Sequence, residues 1–482
     1  MFAAMTNQDI PVGIDAIAVH VPRLFVDLCG EWASVRAADL GEASVDQLVG
    51  KVKKGVGVVE MAVPDAHEDS ATLAAMAAVK AIQHAGIDPR DIGSIAIGTE
   101  TTVDQSKSMG AYVLGMLERR FGVDLREVGA PQFQFACIGA TYALEAAVNA
   151  FRAGEATKPY ALVIATDVSK YPLRTSGEYT QGAGAVAMLV SQRPRLLELD
   201  ARCTATVTRD ERDFFRPNGM TTAVVDGKYS IDVYLGCVAE AARSYLGRAQ
   251  QSLGWTGARI DELLDFLLFH VPFPRMAEYA ALRVLGDAWL ADAGAREALA
   301  SRLGGSLACA SAAERRAFEK QLAADPQFVE LFRNRIEPSL TLSRRIGNIY
   351  SGSMYLALAS LLETAPDRAA LAGRRVGFFS YGSGASARVF SGRFVDPANA
   401  YVPHVTDQLA PEHAGGSRVP LELDLYEQLH AGPKTEENTL ASLAQPARSV
   451  RAPKGEFALT RVGTDVGPAR TDLGYRYYDW CG

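Results

Sequence analysis

Four residues of this chain pair a reactive side chain with surroundings that suit it to chemistry: Glu100, Cys137, His270 and Asn348. Cys137 lies in PQFQFACIGATYALEAAVNAFRAG, between an apolar approach and a run of small residues with helical spacing. A thiol at the first turn of a helix meets unpaired backbone N–H groups and the positive end of the dipole, and both favour thiolate. Glu100 follows the apolar run SIAIGT, where poor solvation raises a carboxylate's pKa and suits it to take protons from carbon. His270 closes LLDFLLF, and Asn348 stands just ahead of the small-residue stretch SGSMYLALASLLE. Thiol and imidazole together allow nucleophilic chemistry on a thioester or carbonyl. The Gly-rich turn YGSG, residues 381 to 384, can offer a backbone N–H to an oxyanion.

Each feature alone also has a plainer explanation. Free cysteines are commonly buried structural residues. Glu100 could cap a helix or pair with a lysine, and His270 could be a hydrogen-bonded core histidine. Asn348 could serve the turn after Gly347, and YGSG could be only a tight turn. Four such features at four strand or helix ends favour a shared site, because ligands of α/β sheets collect at the carboxyl ends of strands.

The elements that must hold them follow a layered rhythm. Residues 12 to 21 read as a first strand ended by Pro22, and Glu31 to Lys54 as a polar helical stretch. Residues 69 to 86 read as a helix capped by Asp69 or Ser70 and closed by Gly86. IGSIAIGTET is a short buried strand, and residues 107 to 120 are helical ahead of the Cys137 element. PYALVIATDVSKY, 159 to 171, is a strand with Asp167 at its end, and TQGAGAVAMLVS, 180 to 191, is another. Strands alternating with helices indicate an α/β domain. The second half repeats the order: a helix over 231 to 252, a strand over 263 to 272, a long Ala-rich helical region over 276 to 334, a small-residue helix over 351 to 363, and strand, turn and strand over 375 to 392. The halves read as one unit duplicated. Beyond about residue 396 long periodic runs stop, and Pro403, Pro411, Pro420, Pro433, Pro446 and Pro453 mark an extension packed on the core.

Composition excludes several classes. With 482 residues the chain can bury a large core, and 48% hydrophobic with 22% charged residues is ordinary for a soluble globular protein. The net charge of −7 and the absence of a basic block argue against nucleic acid. Of the six cysteines, the closest pair, Cys203 and Cys237, is 34 residues apart, so neither zinc spacing nor a disulfide scaffold is present. No apolar run reaches membrane-spanning length, and MFAAMTNQDIPVG does not read as a signal peptide, so a cytoplasmic location is expected.

The stretches IAIGTET, FACIGAT, LVIATDVSKY, GEYTQGAGAVAMLV, DFFRPNG with VDGKYS, FHVPFPRMAEYA, GNIYSGSMYLALASLLE and FFSYGSGASARVFSG, in this order, resemble the hydroxymethylglutaryl-CoA synthases of the thiolase superfamily. The resemblance covers nearly the whole chain. It implies a thiolase fold of two similar βαβαβαββ halves in five layers, residues 11–192 and 193–395, with a C-terminal extension over 396–482. It further implies a homodimer and a ping-pong reaction. Cys137 would take an acetyl group from acetyl-CoA. Glu100 would remove a proton from its methyl, and the carbanion would attack C3 of acetoacetyl-CoA. His270 would polarise the acetoacetyl carbonyl, and Asn348 would hydrogen-bond its thioester. The backbone N–H groups of Ser383 and Cys137 would form the oxyanion hole. Arg275, Tyr350 and Thr180 are implied as further substrate-binding residues, with coenzyme A thioesters as substrates and no cofactor or metal.

Two departures stand out. Ile138-Gly139 follows the nucleophile where the family usually has Tyr or Ala, then Gly or Ala. Arg275 stands where the family often has Lys, and a guanidinium changes how phosphate is held. A relative acting on acetyl-carrier protein in polyketide β-branching would keep Glu, Cys and His, but the DFFRPNG segment is closer to the mevalonate-type enzymes. A ketoacyl synthase with Cys, His and Asn needs no Glu100, and a non-catalytic scaffold would need none of the four. A thiolase or an acyl carrier protein is the partner class to consider.

Overall fold

The structure, a computed structural model, describes residues 10–304, 307, 309–398, 404–411, 416–431, 449–465, 467 and 471–482. Pro403, Pro433 and Pro446 of the extension lie outside them. The main sheet contains β1 (Val12–His20), β2 (Ile92–Gly98), β3 (Gln132–Phe133), β4 (Tyr160–Val168), β5 (Ala183–Gln192), β6 (Leu197–Thr208), β7 (Phe266–Phe269), β8 (Arg375–Gly382) and β9 (Ser386–Phe394). Their order is β7-β8-β9-β6-β1-β5-β4-β2-β3.

From the β6–β1 junction outward, the two sides run alike. One side goes β1, β5, β4, β2, with two antiparallel pairings and then a parallel one. The other goes β6, β9, β8, β7, again antiparallel, antiparallel, parallel. The same order and the same directions on both sides are the imprint of a duplicated unit.

Six helices pack on this sheet: α1 (Ser70–Ala85), α2 (Met109–Phe121), α3 (Gly139–Ala153), α4 (Gly227–Ser252), α5 (Pro274–Ala291) and α6 (Ser353–Thr364). Asp69 caps α1 through a capping box with Thr72, and Gly86 ends it in the left-handed region, as the sequence predicts. Helices α3 and α6 share one core with residues from both halves of the sheet, among them Val163, Val186, Phe378 and Phe390. Helices α1 and α2 cover the opposite face of the first half, and α4 and α5 that of the second. The result is five layers with α3 and α6 in the middle. A helix buried on every side must be small and apolar all round, and α6 buries every residue from Ser353 to Leu362. Strands covered on both faces read as continuous apolar runs for the same reason, and β1 is buried from end to end.

Some sequence expectations need revision. The strand predicted over 263 to 272 is only Phe266–Phe269, because Ile260–Leu263 forms a helical turn ahead of it. The polar stretch from Glu31 breaks into helices Glu31–Asp39 and Val45–Gly50, the second prolonged by a wide turn to Val56. The Ala-rich region after α5 is three separate helices, Ala293–Leu303, Ala312–Leu322 and Pro326–Arg335, capped by Asp292, Ser311 and Asp325.

The extension is laced into the first half. Val419–Pro420 pairs with Leu24–Phe25, and a helix follows at Leu423–Ala431. The hairpin of Glu456–Val462 and Arg476–Cys481 lays Phe457, Leu459 and Tyr478 on α1 and α2. Arg476 and the Tyr478 hydroxyl both donate to Asp69, the cap of α1.

Candidate active site

Strands β2 and β4 are parallel neighbours, so their carboxyl ends lie side by side. After β2 the chain turns through Thr99, Glu100 and Thr101. The amides of Glu100 and Thr101 and the hydroxyls of Thr99 and Thr101 all donate to Oδ1 of Asp167, near the end of β4. The other oxygen of Asp167 accepts from the amide and hydroxyl of Ser351, just ahead of α6 in the second half. One fully buried carboxylate thus ties the Glu100 turn to the opposite half of the molecule.

Helix α3 presses directly on the end of β2. A Cβ on Gly98 would lie 2.1 Å from the Cα of Ala140, so only glycine permits this approach. That contact brings Cys137 beside Glu100, with Sγ 3.6 Å from Glu100 Oε2. Cys137 sits ahead of the first turn of α3 rather than within it. Ile138 is the cap, and Ala136 takes a positive φ of 41° to turn the chain in.

The expectation of a favoured thiolate is reversed. Burial, then the charges of Glu100 and Asp167, push the Cys137 thiol well above its ordinary range. Glu100 is 4% exposed. Burial, then Asp167, push its carboxyl up to about 8. Arg216, with Nη2 3.9 Å from Oε1, opposes this shift. Thiol and carboxyl therefore both hold protons readily, and neither ionises without the other being affected.

Around the thiol stands an apolar wall of Tyr171, Phe214, Ala223 and Tyr350. The Tyr350 ring meets those of Tyr171 and Phe214 edge-on at 6.3 and 6.1 Å. Tyr350 is fully buried and holds a positive φ of 42°, a strained conformation of the kind found at functional sites.

His270 follows β7, where its amide donates to Phe379 O and its carbonyl accepts from the Tyr234 hydroxyl. Its Nδ1 is buried without a partner among the described residues. Burial lowers its pKa to about 3, so the ring is neutral at physiological pH. Asn348 is buried, and its side-chain oxygen accepts from the Tyr350 amide and the Ser353 hydroxyl, both at 2.8 Å. That leaves its NH2 as the group available to a ligand. Its own amide donates to Thr180 O.

The YGSG turn lies against the nucleophile. A Cβ on Gly382 would stand 2.8 Å from the amide nitrogen of Ile138, which puts Ser383 next to the Cys137 loop. Asp213 fastens the turn by accepting from the Gly384 amide and the Tyr381 and Ser230 hydroxyls. Two residues expected to bind substrate have partners within the protein. The Thr180 hydroxyl donates to Gly177 O. The Arg275 side chain is 41% exposed at the start of α5 and ion-paired with Glu278.

The sequence places Asp167 at a strand end without giving it a role, and DFFRPNG reads as one segment without separating Asp213, Phe214 and Arg216. The signal is present, but the partners of these residues come from the other half. A cavity of about 650 Å³ lies along α3, lined by Glu145, Arg152, Arg248 and Arg388 among others, and does not include Cys137. Among the described residues, His67, Glu68 and Glu456 bring possible metal ligand atoms together. Arg451 already pairs with Glu456 at 2.7 Å, and the cluster joins the extension to the first half.

Comparison with known proteins places this geometry. Residues 8–194 match the family model "Hydroxymethylglutaryl-coenzyme A synthase N terminal", and residues 197–412 match its "C terminal" counterpart. A hydroxymethylglutaryl-CoA synthase of Haloferax volcanii is 35% identical over 432 residues, covering 87% of this chain and 91% of the relative. The solved structure of MvaS in complex with 3-hydroxy-3-methylglutaryl coenzyme A superposes with a TM-score of 0.78 at 33% identity, covering 98% of this chain and 100% of the other. The HMG synthase of the curacin biosynthetic pathway in complex with apo donor-ACP superposes at 0.67 with 26% identity, over 98% and 100% of the two chains.

Proposed function

Because the chain belongs to the hydroxymethylglutaryl-CoA synthase family, we propose roles for its residues in that family's reaction. The fold is the thiolase fold, and the chain is a condensing acyltransferase. It joins acetyl-CoA, acetoacetyl-CoA and water into hydroxymethylglutaryl-CoA and CoA.

Cys137 is the nucleophile. Since burial keeps its thiol protonated, the attack on acetyl-CoA needs an acceptor, and Glu100 Oε2 at 3.6 Å is placed to take that proton. The proton leaves with the coenzyme A thiol, and Glu100 is a base again. It then removes a proton from the acetyl methyl, and the carbon attacks C3 of acetoacetyl-CoA. Neutral His270 hydrogen-bonds the oxygen of that carbonyl as it becomes an alkoxide, the proton that Glu100 took from the methyl is returned as that oxygen becomes the product hydroxyl, and the NH2 of Asn348 holds the thioester. The amides of Cys137 and Ser383 receive the acetyl oxygen. Water then cleaves the thioester at Cys137 and releases the product. The Glu100–Cys137 contact, with the thiol donating to a carboxylate able to take its proton, carries this reading.

We also assign the enzyme to the mevalonate route of isoprenoid precursor synthesis, in the cytoplasm, as a homodimer. No helix among the described residues is long and apolar enough to cross a membrane. The two halves and the extension are assigned to 11–192, 193–395 and 396–482. Arg275 is half-exposed and suits contact with coenzyme A phosphates at the entrance, and Tyr350 and Thr180 shape the pocket.

The test is incubation with labelled acetyl-CoA, followed by mass analysis of the Cys137 peptide. An acetylated peptide in the wild type and none in Cys137→Ser is expected. An unmodified peptide alongside full turnover would overturn the assignment. The ratio of kcat/KM for acetyl-CoA to that for acetyl-carrier protein, at equal ionic strength, separates this reading from polyketide β-branching. Preference for the carrier protein would promote the latter.

A further inference from the structure

We propose that the helix Leu423–Ala431 of the C-terminal extension braces the active site, with Tyr426 and His430 as positioning residues that keep the aromatic wall beside Cys137 closed to water. The proposal rests on the acetyl-Cys137 reading above. The helix lies beyond residue 412, where the family model of the second half stops. It is therefore an addition to the part of the chain that the family models cover.

The brace is a chain of hydrogen bonds. His430 Nε2 lies 2.9 Å from the Tyr171 carbonyl oxygen and 3.1 Å from Gln181 Oε1. Both neighbours are acceptors, so Nε2 carries the proton and donates. The Tyr171 amide donates to the same Gln181 oxygen at 2.6 Å. Gln181 Nε2 donates to the Tyr426 hydroxyl at 2.8 Å. Gln181 and Tyr426 are 4% and 2% exposed, so water does not substitute for these partners. With its oxygen turned to Tyr171 and His430 and its nitrogen to Tyr426, the carboxamide has one orientation that satisfies all three.

From there the chain reaches the reacting groups. Tyr171 packs on Tyr350 and Phe214, and the wall they form touches Cys137. The Lys170 amide donates to the Tyr350 hydroxyl. On the other side, Thr180, next to Gln181, accepts the amide of Asn348. One helix thus steadies both the wall at the nucleophile and the turn that carries Asn348. The helix is itself anchored: Leu423 and Tyr426 pack with Trp32 and Tyr179, and Glu427 pairs with Arg36 at 2.6 Å.

The consequence concerns water. An acetyl thioester on Cys137 can lose its acetyl group to water before the second substrate arrives. Water adds to the carbonyl, acetate leaves, and the sulfur regains its proton. A wall held closed delays that loss, whereas a wall with a broken hydrogen bond opens more often.

Acetate release from acetyl-CoA alone and product formation with both substrates are measured on the full chain, and their ratio is compared among variants. His430→Ala and Tyr426→Phe should raise the ratio of acetate to product about three- to tenfold, the worth of one buried hydrogen bond. His430→Gln keeps an N–H donor and should return it most of the way. Leu425→Ala, on the exposed face of the same helix, should leave the ratio unchanged. An unchanged ratio in a folded His430→Ala would overturn the proposal. If that variant does not fold, Tyr426→Phe, which loses a single hydroxyl, decides by the same criterion. A wild type that forms neither acetyl-Cys137 nor acetate would overturn the acetyl-enzyme reading, and this proposal with it.

Discussion

Replacing Glu100 by Gln keeps the shape of the side chain and removes its ability to accept a proton. The structure gives this substitution two opposite effects. Catalysis should fall. A positioned base is worth about two to four orders of magnitude, or about 3 to 5 kcal/mol of barrier. The loss should fall on carbon–carbon bond formation more than on acetylation, because removing the charge of Glu100 also relieves one cause of the raised Cys137 thiol. Stability should rise. Burial and Asp167 push Glu100 from an ordinary carboxyl value up to about 8. In the unfolded chain it ionises near 4.5, so between that pH and about 8 the folded state binds the extra proton. Stability therefore decreases as pH rises through this window, and above it the buried charge destabilises the fold by a few kcal/mol, an order-of-magnitude figure. Gln does not titrate, so the variant should melt higher than the wild type at pH 8 to 9 and approach it below pH 4.5. The catalytic assay is exchange of the acetyl methyl protons with deuterated water on the acetyl-enzyme, alongside condensation rate. In the wild type, exchange should increase as pH rises toward and through about 8, since the base must be unprotonated. A Glu100→Gln variant that condenses within tenfold of wild type, or exchanges methyl protons at the wild-type rate, would refute the assignment of the base.

Four further outcomes follow from the site. His270→Ala should acetylate normally but lose about 10²-fold or more in condensation, the usual effect of deleting one donor to a developing oxyanion, read by comparing the acetylation burst with steady-state rate. Because burial holds His270 near 3, the wild-type rate should show no ionisation of His270 between pH 5 and 8; an acidic limb that disappears in His270→Ala would contradict this. Gly98→Ala should destabilise the fold by about 3 kcal/mol or more, since the new Cβ would meet Ala140 at 2.1 Å and push α3, with Cys137, away from Glu100; denaturant unfolding checks it. Arg275→Ala should raise KM for both thioesters by less than about tenfold and leave kcat nearly unchanged, because a half-exposed, ion-paired guanidinium contributes modest binding remote from the reacting carbons.

The four central residues stand out in the amino-acid sequence because each sits at the end of an apolar run or just ahead of a small-residue helix, where ligands of layered α/β proteins collect. Helix α1 with its cap and stop, and the small residues of α3 and α6, are equally legible, since capping chemistry and burial on all sides leave marks in the chain itself. The rhythm of two halves is visible, but the mirrored strand order is not, because pairing of β1 with β6 joins residues far apart in sequence. Boundaries escape where local signals compete, as at Ile260–Leu263, where an apolar run begins as a helical turn.

What only the folded chain decides is the electrostatic state of the site. A cysteine before a small-residue helix suggests a lowered pKa, and the helix is there. Yet the half-buried thiol lies beside Glu100, with Asp167 behind it, and desolvation and these charges raise its pKa instead. Asp167 has no role assignable from sequence because its six donors come from the turn after β2 and from Ser351, in different halves. The helix Leu423–Ala431 carries an unremarkable sequence, and only tertiary packing brings Tyr426 and His430 against Gln181. Local pattern is written in neighbouring residues. Dielectric, charge proximity and long-range hydrogen bonds depend on which distant segments the fold brings together, and in this protein they determine where the proton sits.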